Sequence, residues 1–265
     1  MPNGSSGFKR EFKRIAHRGA SGEAPENTIP AIQRAVEKYR IDMVEVDLCL
    51  TKEGIPVLHH DPTLARTTNG KGPVSEQPLA ELKRLDAGFH FDPEGKGAFP
   101  YRGKGVAIPT LEEVLTQFPE TAFCLEIKEK RTESVERILA VTQKIRRKGA
   151  LLIGSSFGKV ARALRQRAAG PVETFLSQDD LIWAYSLFRL GMKNFSPPAF
   201  YASIPIVWRA IRLDETDWVD FLHRSGVKVF YWTANDPSEM KQLIERGADG
   251  IVTDYPDRLN QIISF

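Results

Sequence analysis

Glu45 and Asp47 stand two residues apart in the run Met43-Val-Glu-Val-Asp-Leu-Cys-Leu-Thr51. Side chains alternate along a strand, so these two carboxylates share one face while Val44, Val46 and Leu48 share the other. The run from Ala122 to Lys128 behaves alike, with Cys124, Glu126 and Lys128 on one face and Phe123, Leu125 and Ile127 on the other. The apolar faces must be covered by other elements, which turns the three carboxylates toward a common interior. Three carboxylates in one space repel one another. Protonation relieves this by raising pKa values, and so does a divalent cation. A donor set made only of oxygen suits a hard ion, Mg²⁺ or Ca²⁺, better than zinc.

Histidine is scarce, with five in the chain, and three of them are His17, His59 and His60. His17 ends the strand-like run Arg14-Ile-Ala-His17, and His59 and His60 end the extended segment that begins at Pro56. Imidazole titrates near neutrality, which suits a general acid and base pair. His59 and His60 point to opposite faces, so at most one enters the site. The turn at Gly54 leaves that choice open. His90 and His223 read as structural or surface residues. Arg18 and Lys128 add fixed positive charge, and cations beside a metal suit an anionic phosphoryl group. Trp232, at the end of a later strand, reads as a wall for a leaving group or as a packed aromatic.

These residues need a scaffold that gathers strand ends. Strand-like and helix-like runs alternate along the chain, giving eight β-then-α units in 265 residues. That is the arithmetic of an α/β chain folded as a (β/α)8 TIM barrel, in which functional groups collect at the carboxyl-terminal ends of the strands. The rival is a doubly wound open sheet, but the first turn, His17-Arg-Gly-Ala-Ser-Gly22, lacks its G-x-G-x-x-G fingerprint. The alternation stops between Pro62 and Ala107, a loop-rich insertion of 46 residues after the second strand. Loops of that length tend to serve function. Thr110 and Glu113 form a capping-box signature where the alternation resumes. The expected organisation is a flexible N-terminus over 1–12 and one barrel domain over 13–265.

Composition narrows the function classes. Lys and Arg total 37 against 34 Asp and Glu, a net charge of +3. That is too balanced for a nucleic-acid coat, so no nucleic-acid partner is expected. Two cysteines, Cys49 and Cys124, exclude a disulfide-dense scaffold, and free thiols suit a reducing compartment. The longest uncharged stretch, Asn194 to Trp208, contains three prolines and is shorter than the roughly 20 residues a bilayer span needs. With no signal-peptide pattern at the N-terminus, the expected location is cytoplasmic. Aromatic and aliphatic residues concentrate between Trp183 and Trp208. Most of these read as core, with Phe195 to Trp208 a candidate apolar rim for an acyl chain or a membrane surface.

In combination, the motifs resemble the glycerophosphodiester phosphodiesterases from about Arg14 to Leu259. The resemblance rests on His17-Arg-Gly with Pro25-Glu-Asn-Thr28, Glu45-Val-Asp47, and His60-Asp61 with Arg66-Thr-Thr. Leu125-Glu-Ile-Lys128, Trp232-Thr-Ala-Asn235 and Gly250-Ile-Val-Thr-Asp254 complete it. It implies a barrel with an insertion after strand two. It also implies metal-dependent hydrolysis of glycerophosphodiesters to glycerol 3-phosphate and an alcohol, with the glycerol 2-hydroxyl as an internal nucleophile. On this resemblance His17 and His60 match the catalytic histidines, and Glu45, Asp47 and Glu126 the ligands of one Mg²⁺ or Ca²⁺. Arg18 and Lys128 match phosphate-contacting cations, Trp232 a substrate-side aromatic, and Glu26, Asn27 and Asp61 supporting residues. Ala234 departs from a valine common in the family, with no catalytic consequence. Relatives of the fold cleave lysophospholipids, so a lysophospholipase D at a membrane surface is the alternative. A phosphate-ester binding protein without activity is a weaker one, because neither a motif histidine nor a metal carboxylate is missing.

Overall fold

A computed structural model describes residues 12–168 and 172–263. All but Phe12 of the segment expected to be flexible lies outside those residues, and Phe12 packs against the core. In chain order the strands are β1 (Lys13–His17), β2 (Met43–Leu50), β3 (Pro56–Leu58), β4 (Phe123–Ile127), β5 (Leu151–Gly154) and β6 (Val172–Thr174). They continue as β7 (Tyr201–Pro205), β8 (Val207–Trp208), β9 (Ile211–Arg212), β10 (Lys228–Trp232) and β11 (Gly250–Thr253). The helices are α1 (Ile29–Gln33, continued by a π-helical turn to Lys38), α2 (Leu79–Leu82), α3 (Leu111–Gln117), α4 (Glu133–Lys144) and α5 (Gly158–Arg167). After them come α6 (Gln178–Arg189), α7 (Thr216–Arg224), α8 (Pro237–Glu245) and α9 (Pro256–Ile263).

Eight strands run parallel in the order β6-β5-β4-β2-β1-β11-β10-β7. The gap between the outer two is bridged at Phe175 and Tyr201, where Leu176 N–H donates to Tyr201 O at 2.8 Å. The result is a nearly closed (β/α)8 barrel, as the alternation predicts. β3 pairs antiparallel with the far end of β2, and β8 and β9 form a small hairpin after β7 that the sequence pattern does not reveal.

The outward faces of the strands explain the helices. Val44, Val46, Leu48, Phe123, Leu125 and Ile127 are buried against apolar positions of α3, α4 and α5. The inward faces explain the site. Ile15, Met43, Cys124, Leu152, Phe175, Phe230 and Val252 form one apolar layer inside the barrel. Two residues further along, the same faces carry His17, Glu45, Glu126, Trp232 and Asp254. Period-two alternation therefore sets a dry floor directly beneath a polar ring. Gly154 in β5 takes no side chain into that ring, and a Cβ there would overlap the Phe175 ring.

The insertion is anchored by its own small core, in which Leu64, Val74, Leu82 and Ile108 pack on Cys49 and Val57. Both cysteines are free and buried. The capping box at Thr110 and Glu113 is formed. The first helix starts at Ile29, and Asn27 adopts φ 57° and turns the chain before it. Among the described residues no helix is long and apolar enough to cross a membrane.

Candidate active site

Glu45, Asp47 and Glu126 meet at the carboxyl-terminal mouth of the barrel because β2 and β4 are neighbours, with Asp47 opposite Glu126 in register. Each offers a carboxylate oxygen, and these atoms lie within 4.8 Å of one another. Glu45 and Asp47 are buried. Burial, followed by the charge of Asp47, pushes the Glu45 carboxyl up to about 8. Asp47 goes the other way. Burial opposes its charge, but Lys128, Arg18 and His60 together with an Asn27 hydrogen bond hold it below the ordinary range. The Lys128 ammonium lies 3.1 Å from Asp47 and 2.9 Å from Glu126. The donor set is entirely oxygen, and Glu45 still lacks enough positive charge to ionise at neutral pH. Both features fit a hard divalent cation at this triad.

Arg18 lies across the same mouth. Its backbone N–H donates to Glu45 at 3.0 Å, its Nη1 to Glu26 at 2.7 Å, and its Nε lies 3.0 Å from Asp47. Arg18 itself sits at φ 55°, in the left-handed region, which bends the chain so that both backbone and side chain face the carboxylates. Arg66, from the insertion, donates to both oxygens of Glu26 at 2.7 Å and to Asp61 at 2.5 Å.

The structure separates the adjacent histidines. The His59 ring is turned into the protein, 2.8 Å from Asp61 O and 3.3 Å from Thr67 Oγ1. His60 Nδ1 pairs with the Asp61 carboxylate at 2.6 Å, and His17 Nδ1 pairs with Asp254 at 2.7 Å. For both carboxyls burial favours protonation, but it is outweighed. Arg66 and His60 hold Asp61 down at about 2, and His17, Ser21 and Asn235 hold Asp254 at about 2. An ionised carboxylate only accepts, so each Nδ1 carries a proton and each Nε2 is the atom left to exchange one. Burial lowers the His17 pKa, but the Asp254 hydrogen bond and the Glu45 charge outweigh it and raise the net value.

Three residues assigned no role from the sequence belong to this arrangement. Asp254 meets His17 because β11 closes the barrel against β1, and Asn235 donates to Asp254 at 2.6 Å. Arg66 joins the two sides through Glu26 and Asp61. The available signal was a charged residue at the end of the last strand, where barrel sites gather.

From Glu126 and Trp232 a cleft of about 400 Å³ runs toward α6 and the β8–β9 hairpin, lined mainly by Phe175, Leu181, Ile182, Ile204, Trp208 and Leu213. Trp232 is exposed at its rim. The run from Phe195 to Trp208 is divided between core and surface. Phe195 stacks on Phe221, and Ala199, Ala202, Ile204 and Ile206 are buried, which leaves Phe200 and Val207 exposed. His223 pairs with Asp249 at 2.7 Å, a structural position as expected.

Residues 17–258 match the glycerophosphoryl diester phosphodiesterase family. A glycerophosphodiester phosphodiesterase of Caldanaerobacter subterraneus subsp. tengcongensis is 32% identical over 94% of this chain and 96% of its own. A lysophospholipase D of Mus musculus is 29% identical over 94% of this chain and 81% of its own. A phosphodiesterase of Oleispira antarctica, solved with its product sn-glycerol-3-phosphate, superposes with a TM-score of 0.73. It is 30% identical, and the match covers 96% of this chain and 97% of that one. With two histidine–carboxylate pairs beside a carboxylate triad on the matching barrel, the chain belongs to the glycerophosphoryl diester phosphodiesterase family and is a phosphoric diester hydrolase.

Proposed function

We propose that this enzyme hydrolyses glycerophosphodiesters to glycerol 3-phosphate and an alcohol at the barrel mouth, with His17 and His60 as the general acid and base. The observation that carries the reading is the pairing of each imidazole Nδ1 with an ionised carboxylate, which aims two proton-exchanging Nε2 atoms from the rim of one site. Glu45, Asp47 and Glu126 are the residues that would hold a divalent cation, Mg²⁺ or Ca²⁺. A cation bound there supplies Lewis-acid stabilisation of charge on the phosphoryl oxygens. Arg18 and Lys128 bind the phosphodiester through its negative charge, and both are fixed by carboxylates before substrate arrives. One histidine takes the proton of the attacking glycerol 2-hydroxyl while the other gives one to the departing alkoxide, which leaves a cyclic phosphate. A water deprotonated in turn then opens that ring at phosphorus, and the 2-oxygen leaves as a hydroxyl by taking a proton. Glu26, Asn27 and Asp61 keep these groups in place.

The test is release of glycerol 3-phosphate from glycerophosphocholine by the purified protein, with Mg²⁺ and Ca²⁺ exchanged. Positioned acid–base groups are each worth roughly 10²–10⁴-fold. His17→Ala and His60→Ala should lose that much while remaining folded by circular dichroism. Near-wild-type turnover in either variant sinks the assignment.

A second reading is supported by the cleft. A channel with mainly apolar walls that begins at Glu126 and Trp232 matches the acyl chain of a lysophospholipid whose phosphodiester lies at the triad. Comparing kcat/KM for lysophosphatidylcholine and glycerophosphocholine decides between the readings, because a chain seated in the cleft should favour the lipid.

A further inference from the structure

Helix α6 carries apolar side chains where a barrel helix normally shows polar ones to solvent. Its inward side is satisfied, with Ala184 buried and Tyr185 and Phe188 packed on Trp218. Its outward side is not. Trp183 is 62% exposed, and Leu190, just past the helix end, is 78% exposed. Seven residues separate them, so they fall on one stripe. Ile182 beside Trp183 and Trp232 across the mouth are both exposed and both line the rim of the cleft. Exposed Val207 adjoins Trp208, another lining residue. The apolar patch and the cleft are therefore continuous.

Charge supplies a second observation. Between Leu181 and Leu213 the chain holds Arg189, Lys193, Arg209 and Arg212 and no Asp or Glu, although the whole protein is nearly balanced. Arg212 is engaged by Asp214. The guanidinium groups of Arg189 and Arg209 lie over the rings of Tyr185 and Trp208, at 6.0 and 5.0 Å. Cations at the border of exposed aromatic and aliphatic surface match a lipid interface, where apolar groups enter the acyl boundary and cations meet headgroup phosphates. A symmetric dimer would set this patch against itself and bring Arg189, Lys193 and Arg209 against like charges, so a second copy of this chain suits the patch less well.

We propose that the outward face of α6 and the β8–β9 hairpin dock on an anionic bilayer surface, so that the cleft opens into the lipid. The proposal deepens the lysophospholipid reading, since an acyl chain would then pass from bilayer to site without crossing water. Its test does not depend on turnover. The full-length protein is sedimented with vesicles of phosphatidylcholine, with and without phosphatidylserine. Binding to the phosphatidylserine vesicles should be about 10-fold tighter and should weaken with salt. The pair Trp183→Ser and Leu190→Ser should lower it by about 10-fold. Neither residue lines the cleft, so hydrolysis of water-soluble glycerophosphocholine should not change. The exposed pair Arg189→Glu and Lys193→Glu should remove the preference for phosphatidylserine, which covers the case in which the first pair misfolds. No association with either vesicle, or equal binding by wild type and both variants, overturns the proposal. So does a dimer in light scattering that the first pair dissociates. Vesicle binding by a protein that hydrolyses neither glycerophosphocholine nor lysophosphatidylcholine would instead defeat the catalytic reading and leave the docking surface standing.

Discussion

Asn27 holds Asp47 at two points. Its amide nitrogen donates to Asp47 Oδ2 at 2.8 Å, and its amide oxygen accepts from the Asp47 backbone N–H at 3.0 Å. Both residues are buried, so neither contact competes with bulk water. The loop after β1 thereby sets the rotation of the carboxylate at the centre of the triad. Asn27 reaches it from φ 57°, a left-handed conformation that asparagine tolerates better than most residues.

Asn27→Ala should weaken divalent-metal binding by about 10–100-fold, as expected for a group that orients a metal-binding side chain. Asn27→Asp should do worse, because it sets a second carboxylate against Asp47. Calorimetric titration with Mg²⁺ and Ca²⁺ checks both. Unchanged affinity in Asn27→Ala would show that Asp47 is placed by other contacts.

Metal binding should be proton-linked through Glu45. Without metal its carboxyl is raised to about 8, so it is largely protonated at neutral pH. A coordinating carboxylate must be ionised. One proton should therefore leave per metal bound below about pH 8, and metal affinity should rise with pH toward that value. The stability sign is the reverse of the usual carboxylate case. The folded metal-free protein keeps a proton that the unfolded chain releases above 4.5, so its stability should fall as pH climbs from 4.5 toward 8. Chelation should lower the Tm most at the alkaline end of that window. Heats of binding measured in buffers of different ionisation enthalpy count the protons.

Asp254→Asn should separate orientation from charge at His17. Turnover should fall by about 10²-fold, because the amide can impose the wrong imidazole tautomer. Asp254 titrates near 2 in the folded protein, against an ordinary 3.8. Its ion pair therefore contributes stability above 3.8, on the order of 2 kcal/mol, and loses it as pH falls toward 2. Acid titration of wild type and Asp254→Asn should show their stability difference shrinking across that interval.

Gly154→Ala should destabilise the barrel by about 1–3 kcal/mol, the usual cost of overpacking. The added methyl meets the Phe175 ring, which lines the cleft. Urea unfolding measures the loss, and a changed KM with nearly constant kcat would place the effect in the cleft and not at the carboxylates.

Much of the site was legible because a strand alternates with period two. Glu45, Asp47 and Glu126 betray their inward direction through the apolar residues between them, and the eight-fold recurrence of strand and helix betrays the barrel. The choice between His59 and His60 was not legible from spacing, since it depends on how β3 folds back on β2 after the Gly54 turn. The family motif supplied it. The partners of the histidines are a different matter. His17 and Asp254 are separated by 237 positions and meet through the closure of β1 on β11.

The sequence by itself determined which side chains face inward, because that follows from local backbone geometry. It also set how many strand ends would gather. Only the tertiary structure decided which of those side chains touch, and what lies beside them. The Arg66 bridge between Glu26 and Asp61, the shared carboxylates of Lys128 and the cleft beyond Trp232 each join segments distant in the chain. Their energies depend on distance, burial and neighbouring charge, quantities that exist only once the barrel has closed.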